Sequence, residues 1–181
     1  MKFYKLSWQE LQADCYKLAK KLKKQKFDRI LCISRGGLVW ARMFSDLLNL
    51  PVSHLTVVSY QDLKQQKETK ITEVPANLEN QNMLVVDEIA DSGKTLKIVI
   101  DYLHSINIYK FKTLAPIIRK FTKPKPDIYL KIINEWVIFP YEIRETAQAF
   151  IKLFTTKDKA KKKLLEVGFE NWEIDEIFQS S

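Results

Sequence analysis

The sequence predicts an α/β fold with a mostly parallel central sheet flanked by helices. Short apolar runs alternate with helical patterns of about 10–15 residues, which is typical of βαβ units. Three of the four glycines, Gly36, Gly37 and Gly93, come just after predicted strands, where such folds place tight turns. The chain of 181 residues is 46% hydrophobic and 12% aromatic, which is enough apolar surface for a domain core and excludes a wholly disordered chain.

The first predicted elements are a helix, a buried strand and a second helix. Ser7 and Glu10 fit a capping box, and apolar residues at alternating steps of three and four carry the helix to about Lys26. We expect this apolar stripe to face the core; it consists of Trp8, Leu11, Cys15, Leu18 and Leu22. Residues 30–33 form a short apolar run that predicts a buried strand, and residues 38–48 are helical again.

The remaining elements continue the alternation and end in a helical segment. Further strands are predicted at residues 52–59, 83–86, 113–118, 128–133 and 136–139, and a helix follows residue 95. Residues 60–73 are polar and lysine-rich without a usable period, so we interpret them as a mobile loop. The pattern is helical from Arg144 onwards. We therefore predict an α/β domain over residues 1–142 and a helical C-terminal extension over residues 143–181.

The net charge of +8 is concentrated in two lysine-rich segments. Residues 17–26 contain six lysines and no acid, and residues 157–163 contain five lysines and one aspartate. Surfaces that bind single-stranded nucleic acid place aromatic residues among the basic ones, and neither segment contains an aromatic residue. We interpret both segments as solvated helix faces and expect no nucleic-acid partner.

Three features of the sequence indicate where in the cell the protein is located. No apolar run approaches the roughly 20 residues that a membrane-spanning helix needs, so we expect no transmembrane segment. The first residues lack the apolar region and cleavage site of a secretory signal. Cys15 and Cys32 form neither a CxxC pair nor a disulfide framework. These features predict a cytoplasmic protein.

The residues that follow two predicted strands suggest a ligand site. In an open α/β sheet, ligands bind beyond the carboxyl ends of the strands, which places a site at residues 34–37 and 91–95. The segment Ser92-Gly93-Lys94-Thr95 begins a helix and offers backbone N–H groups and hydroxyls to a phosphate. Asp87 and Glu88 would repel that phosphate, so they favour ligand hydroxyls or a divalent cation. A ribose monophosphate meets both demands.

Other nucleotide and catalytic motifs do not fit. A Walker A loop that ends at Gly93-Lys94-Thr95 needs a glycine at position 88, where the chain has Glu88. The Rossmann pattern G-x-G-x-x-G does not occur in the sequence. His54 and His104 have no candidate nucleophile beside them in the sequence, so we interpret both as structural and expect neither a zinc site nor a Ser-His-Asp triad.

Several segments resemble one family. Residues 83–95, Met-Leu-Val-Val-Asp-Glu-Ile-Ala-Asp-Ser-Gly-Lys-Thr, resemble the phosphoribosyl pyrophosphate (PRPP) motif of type I phosphoribosyltransferases. Residues 33–38, Ile-Ser-Arg-Gly-Gly-Leu, resemble the pyrophosphate loop of bacterial and archaeal xanthine-guanine (hypoxanthine) phosphoribosyltransferases. Ser59-Tyr60 is similar to the start of that family's catalytic lid, and residues 136–142 are similar to its base-binding hood. The similarity covers about residues 7–142 and implies the type I phosphoribosyltransferase fold with a small hood.

The resemblance assigns roles to individual residues. PRPP or nucleotide contacts are implied for Ser34, Arg35, Gly36, Gly37, Lys67, Asp87, Glu88, Asp91, Ser92, Gly93, Lys94 and Thr95. Among these, Asp87 and Glu88 would hold the ribose hydroxyls and Mg²⁺, and Arg35 would hold the pyrophosphate leaving group. The family's pyrophosphate loop also implies a cis peptide bond between Ser34 and Arg35.

The purine base has its own set of implied contacts. Asp91 would accept the proton from N7 of the purine. Lys120 would recognise the 6-oxo group, Trp136 would stack on the base, and the Val137 carbonyl would contact the 2-substituent. Together with Arg35, Asp91 is therefore a candidate catalytic residue.

The resemblance implies a Mg²⁺-dependent 6-oxopurine phosphoribosyltransferase of purine salvage that acts as a dimer or tetramer. Two alternatives stay open: a regulator of the same fold that binds PRPP or nucleotide and nucleic acid, and an enzyme for adenine or a pyrimidine. The presence of both Arg35 and Asp91 favours an enzyme, and Lys120 argues against adenine. Ile138 and Phe139 replace more polar residues of the xanthine-guanine hood, which leaves open whether guanine, hypoxanthine or xanthine is preferred.

Overall fold

The structure, a computed structural model, describes residues 1–61, 67–154 and 156–179, without the side chains of residues 59–61, 67, 68, 177 and 179. The strands are β1 (Phe3–Lys5), β2 (Arg29–Ser34), β3 (Val52–Gln61), β4 (Lys67–Glu73), β5 (Met83–Val86), β6 (Ile89–Ala90), β7 (Phe111–Leu114), β8 (Ile117–Ile118), β9 (Lys131–Ile132) and β10 (Trp136–Ile138). The helices are α1 (Trp8–Leu22), α2 (Leu38–Leu48), α3 (Lys94–Ser105), α4 (Ile143–Phe154), α5 (Lys157–Glu166) and α6 (Asn171–Gln179). No described helix is both long and apolar enough to cross a membrane.

The chain forms two units, one of residues 12–134 and one of residues 1–11 with 135–181. The larger unit contains a sheet in the order β4-β3-β2-β5-β7, in which every pair is parallel except β3 with β4. Its central strands are buried on both faces, which explains their uninterrupted apolar sequences. Leu31, Val85 and Val99 belong to one core cluster, so helix α3 covers one face of the sheet.

The register of the sheet positions the loops. Cys32 of β2 lies opposite Val86 of β5, so the two strands end side by side. A small second sheet continues from the same place, in the order β6-β8-β9, with Ala90 opposite Ile118. The loops after β2, β5, β6 and β8 therefore leave the sheets at neighbouring positions.

Residues 60–73 were expected to form a loop, and this expectation is wrong over the residues that the structure describes. Strand β3 extends to Gln61, and Lys67–Glu73 form strand β4, which pairs antiparallel with β3. Thr69 and Ile71 are half-buried whereas Lys70 and Thr72 are exposed, so the period is two. Because β4 is an edge strand, charged residues occupy its solvated face and hide the alternation. Residues 62–66 lie outside the described part of the chain.

Helix α1 begins as the capping box predicts, since the Glu10 N–H donates to Ser7 Oγ at 3.1 Å. It ends at Leu22 and not near Lys26. The other four residues of the predicted stripe are buried, but Trp8 is 56% exposed, which corrects its assignment to the core. Leu6, just before the cap, is fully buried instead, the position that a hydrophobic staple gives to the residue preceding the cap.

The smaller unit combines a two-stranded sheet with three helices. Strand β1, which the sequence analysis did not predict, pairs parallel with β10. Helices α4, α5 and α6 share one apolar cluster, which consists of Ile138, Ala147, Phe150, Ala160, Leu164, Phe169 and Ile174. Lys5 Nζ donates to the Gly168 carbonyl at 2.5 Å and lies 4.2 Å from the Phe169 ring centroid. Residues 135–142 thus group with the helical extension, and the predicted division after residue 142 stays a prediction.

Both cysteines are buried thiols. Burial raises the pKa of Cys15 and that of Cys32 to about 12. Because only the thiolate is nucleophilic, we expect both to react with a disulfide reagent at about pH 8 roughly 1,000-fold more slowly in the folded protein than in urea. A Ser105→Cys variant supplies an exposed thiol as the positive control. Rapid reaction of one thiol in the folded wild-type protein would contradict this expectation.

A buried ion pair predicts a large effect on stability. Asp14 is 1% exposed and accepts hydrogen bonds from Lys131 and, at 3.4 Å, from Lys17. Asp14→Asn removes a buried negative charge on which two ammonium groups converge, so we expect the free energy of unfolding to fall by about 3 kcal/mol. Urea unfolding measures the change.

The matched control is the exposed pair of Asp46 with Arg42, whose side chains are 73% and 72% exposed and 3.8 Å apart. Asp46→Asn is expected to change the free energy of unfolding by less than ~0.5 kcal/mol. Equal changes for Asp14→Asn and Asp46→Asn would show that the burial of Asp14 has no energetic consequence.

Candidate active site

A cavity of about 290 Å³ lies at the carboxyl ends of β2 and β5 and at the start of α3. Residues 33–36, Val57 and residues 87–96 line it. Nearly all the residues proposed for PRPP therefore meet at one place; they are Ser34, Arg35, Gly36, Asp87, Glu88, Asp91, Ser92, Gly93, Lys94 and Thr95. The chain brings them together because two parallel neighbours, β2 and β5, end side by side.

The loop after β2 packs closely on the strand ends. Its peptide bond between Ser34 and Arg35 is cis, as the resemblance implies. A Cβ atom on Gly37 would lie 2.6 Å from the Val86 carbonyl oxygen and 2.9 Å from that of Ile33, so only glycine fits there. A Cβ atom on Gly36 would overlap the Glu88 carboxylate, with 1.8 Å to Oε2. The backbone of this loop therefore packs directly against the Glu88 carboxylate.

The acid pair combines burial with neighbouring charge. Asp87 is buried, and its Oδ1 accepts a hydrogen bond from the Glu88 N–H at 3.0 Å. Burial raises the pKa of the Asp87 carboxyl above its usual value, and hydrogen bonds with the Glu88 side chain and backbone offset part of that increase. A carboxylate in such a place is stabilised by hydroxyl donors or by a cation.

The donor set fits Mg²⁺ bound together with a ligand. The oxygens of Asp87 and Glu88 are hard donors, and Mg²⁺ binds one or two carboxylates and completes its shell with substrate oxygens and water. Within the described residues, no group of three or more His, Cys, Asp or Glu side chains could hold a metal ion. Any cation here would therefore share its coordination with the bound molecule.

The loop after β6 has the features of a phosphate site. Gly93 adopts a φ of 88° and is the residue that caps α3. A Cβ atom at Gly93 would lie 2.4 Å from the Lys123 carbonyl oxygen. The Lys123 N–H donates to the Ser92 carbonyl at 3.1 Å, and the Lys94 N–H donates to Ser92 Oγ at 3.3 Å. The start of α3 points the positive end of the helix dipole towards this loop.

Asp91 lies at the edge of the same loop and is paired with a residue that the sequence analysis missed. Arg119 Nε donates to Asp91 Oδ1 at 2.7 Å. The Asp91 side chain is 63% exposed, whereas that of Arg119 is only 12% exposed. Arg119 directly follows β8, and the pairing of β8 with β6 is what brings it beside Asp91. To find Arg119 from the sequence, one would have had to predict that pairing of β6 with β8.

Five proposed site residues are not among those that line the cavity; they are Gly37, which packs against the strand ends in the loop after β2, and Lys67, Lys120, Trp136 and Val137. Lys120 is exposed, and its N–H donates to Asn134 Oδ1 at 3.2 Å. Trp136 and Val137 lie on β10 in the smaller unit, with Trp136 48% exposed. Lys67 begins β4, and its side chain lies outside the described residues. Their roles stay predictions.

Comparisons with known proteins agree with this arrangement. A family model for the phosphoribosyl transferase domain matches residues 6–146. The xanthine-guanine phosphoribosyltransferase of Cereibacter sphaeroides is 30% identical over 153 residues, which cover 78% of this chain and 88% of that protein. The enzyme of the same name from Idiomarina loihiensis is 29% identical over 147 residues, which cover 76% of this chain and 86% of that protein. The crystal structure of a purine phosphoribosyltransferase from Pyrococcus horikoshii has a TM-score of 0.71 and 28% identity, and the match covers 78% of this chain and 95% of that one.

The matched region contains the whole cavity. Residues 34–37 and 87–95 lie inside it, whereas helices α5 and α6 lie beyond its end. The predicted α/β fold with a mostly parallel sheet is confirmed. The chain therefore belongs to the phosphoribosyltransferase family of enzymes.

Proposed function

We propose that this enzyme transfers the phosphoribosyl group of PRPP to a 6-oxopurine and releases a nucleoside 5′-monophosphate and pyrophosphate. One observation carries the proposal: a single cavity is lined by a helix start, an acid pair and an arginine loop. These three features correspond to the 5′-phosphate, the ribose hydroxyls and the pyrophosphate of PRPP. The relatives named xanthine-guanine phosphoribosyltransferase support the choice of base.

Each part of PRPP has a matching group in the cavity. The N–H groups at the start of α3 bind the 5′-phosphate. Asp87 and Glu88 accept hydrogen bonds from the 2′- and 3′-hydroxyls and would hold Mg²⁺. When bound, that cation neutralises charge on the pyrophosphate and so makes it a better leaving group. Arg35 and the Gly36 N–H, in the loop beside the acid pair, bind the same pyrophosphate.

The reaction replaces one bond to C1 of the ribose by another. The bond from C1 to the pyrophosphate oxygen breaks and that oxygen keeps the electron pair, while the purine N9 lone pair forms the new bond to C1. The purine gains positive charge, and Asp91 relieves it by accepting the N7 proton. Because Asp91 is largely exposed, the proton then passes to solvent. Arg35 stabilises the charge that develops on the departing pyrophosphate.

The remaining contacts with the purine base are proposed from the resemblance alone. On that basis we propose that Lys120 recognises the 6-oxo group, Trp136 stacks on the purine, and the Val137 carbonyl contacts the 2-substituent. Lys67 is proposed to contact a phosphate. A cytoplasmic location and a homo-oligomer, dimer or tetramer, are proposed on the same ground, and light scattering of the purified protein measures the oligomer.

The experiment that tests the proposal supplies PRPP, Mg²⁺ and one base at a time, and follows nucleotide formation by chromatography. Guanine, hypoxanthine and xanthine are compared with adenine and uracil. We expect a nucleotide from at least one 6-oxopurine and none from adenine or uracil. PRPP binding without any nucleotide would favour the regulator alternative, and a nucleotide from adenine or uracil alone would overturn the choice of base.

A pair of arginine variants shows whether the activity belongs to this cavity. Arg35→Gln removes the charge that faces the pyrophosphate and should abolish most turnover. Arg42→Gln changes another exposed arginine, on α2, whose partner is Asp46, and should leave turnover unchanged. Similar activity in the two variants would remove Arg35 from the mechanism.

A further inference from the structure

The surroundings of Asp91 contain more than the residues assigned so far. Arg119 makes a fork, with Nε donating to Asp91 Oδ1 at 2.7 Å and Nη1 donating to the Ile133 carbonyl at 2.8 Å. The second bond anchors the guanidinium to the backbone next to β9. Because the Arg119 side chain is only 12% exposed, it has little freedom to leave this position.

A second contact holds the backbone of the same loop. The buried hydroxyl of Thr122 lies 2.7 Å from both the Ala90 and the Asp91 carbonyl oxygens. The Arg119 N–H donates to that hydroxyl oxygen at 2.8 Å. Residues 119 and 122 therefore hold Asp91 twice, once through its carboxylate and once through its main chain.

These contacts restrict the conformation of Asp91 more than an ordinary surface ion pair does. An exposed aspartate in a loop populates several side-chain rotamers, and an ion pair between two mobile side chains does little to restrict them. Here the guanidinium of one partner is itself held by the Ile133 carbonyl, and its hydrogen bond to the carboxylate goes to Oδ1. Oδ2 is thereby left to accept a proton from a ligand.

We propose that Arg119 is a positioning residue for phosphoribosyl transfer, which holds the Asp91 carboxylate by Oδ1 so that Oδ2 accepts the purine N7 proton. The inference rests on the proposed function and adds to it a residue that acts through Asp91. Arginine is required because its planar fork reaches two acceptors that point in different directions, whereas the single ammonium of a lysine cannot reach both.

The test measures kcat and the KM for PRPP in Arg119→Gln, Arg119→Lys and Asp91→Asn, and in the double variant Arg119→Gln/Asp91→Asn. We expect Arg119→Gln to lower kcat by about 10–100-fold, the cost of a small displacement of a reacting group, with the KM for PRPP within about threefold of wild type. Arg119→Lys keeps the charge but loses one arm of the fork, so its loss of kcat should be about 3–10-fold. The double variant should be no slower than Asp91→Asn alone, because both changes remove one function.

Two further comparisons separate this role from a purely structural one. Arg42→Gln on α2 is the control, and thermal unfolding of every variant records any loss of folding. If Arg119 only supports the fold, the fold-decrease in kcat of the double variant is the product of the two single decreases, and the KM for PRPP rises. That result overturns the proposal. The proposal is also overturned if Arg119→Lys and Arg119→Gln both fold, as thermal unfolding records, and both keep kcat within twofold of wild type. If the wild-type protein itself forms no nucleotide, the proposed function fails and the positioning role fails with it.

Discussion

Asp91→Asn is expected to lower kcat by about 100- to 10,000-fold, the usual contribution of a general base, and to leave the KM for PRPP within a few-fold of wild type. The substitution keeps the size of the side chain, and Asn Oδ1 can still accept the hydrogen bond from Arg119 Nε. What it removes is the group that accepts the N7 proton. Steady-state kinetics with each 6-oxopurine measures both constants.

The structure opposes the simpler explanation that Asp91 merely caps helix α3. The capping residue of that helix is Gly93, and the side chain that accepts a hydrogen bond from its first N–H, that of Lys94, is Ser92, whereas Asp91 accepts from Arg119. Asp101→Asn provides the matched control, because Asp101 is exposed on α3 and pairs with Lys97 at 2.6 Å. It should leave kcat unchanged. Near-full turnover of Asp91→Asn with every 6-oxopurine would remove Asp91 from the catalytic step and weaken the purine proposal.

The sequence could predict those parts of the site that are contiguous. The acid pair and the phosphate loop lie within residues 83–95, and the pyrophosphate loop lies within residues 33–38. Each segment follows a buried strand whose apolar run is unambiguous. In a mostly parallel sheet the carboxyl ends of the strands lie at one edge, so the meeting of the two segments in one cavity was also predictable.

Arg119 could not be found in this way, because its contact with Asp91 spans 28 positions. It depends on the pairing of two strands of only two residues each, β6 and β8. Such short strands carry no periodic signal. The chain continues from Ala90 to Asp91 and from Ile118 to Arg119, so parallel pairing of Ala90 with Ile118 places the next two residues side by side.

Strands β1 and β4 escaped prediction for different physical reasons. Strand β1 has three residues, too few to show alternation. Strand β4 alternates, but its exposed face carries lysine and threonine. A polar, lysine-rich segment of this kind is also typical of a loop. In both cases the pairing with a longer or more apolar neighbour stabilises the strand, which is tertiary information.

Gly93→Ala is expected to reduce the affinity for PRPP by roughly 100-fold, which corresponds to losing one strong hydrogen bond to a charged group. The new Cβ atom would lie 2.4 Å from the Lys123 carbonyl oxygen, 2.5 Å from its carbonyl carbon and 2.9 Å from the Pro124 nitrogen. All three are backbone atoms that cannot rotate away as the end of a side chain can. The phosphate loop must therefore move, so its N–H groups no longer point towards the 5′-phosphate.

Gly168→Ala is the matched control for this prediction. Gly168 has a φ of 95°, close to the 88° of Gly93, so alanine suffers the same left-handed strain of about 1–2 kcal/mol at either position. A Cβ atom on Gly168, however, would meet only the Lys5 Cδ atom at 3.9 Å, an ordinary contact. Urea unfolding should show a loss of stability in both variants, while calorimetric titration with PRPP should show weakened binding in Gly93→Ala alone. If both variants bind PRPP equally well, the close packing of residues 123–124 against Gly93 does not determine the shape of the phosphate loop.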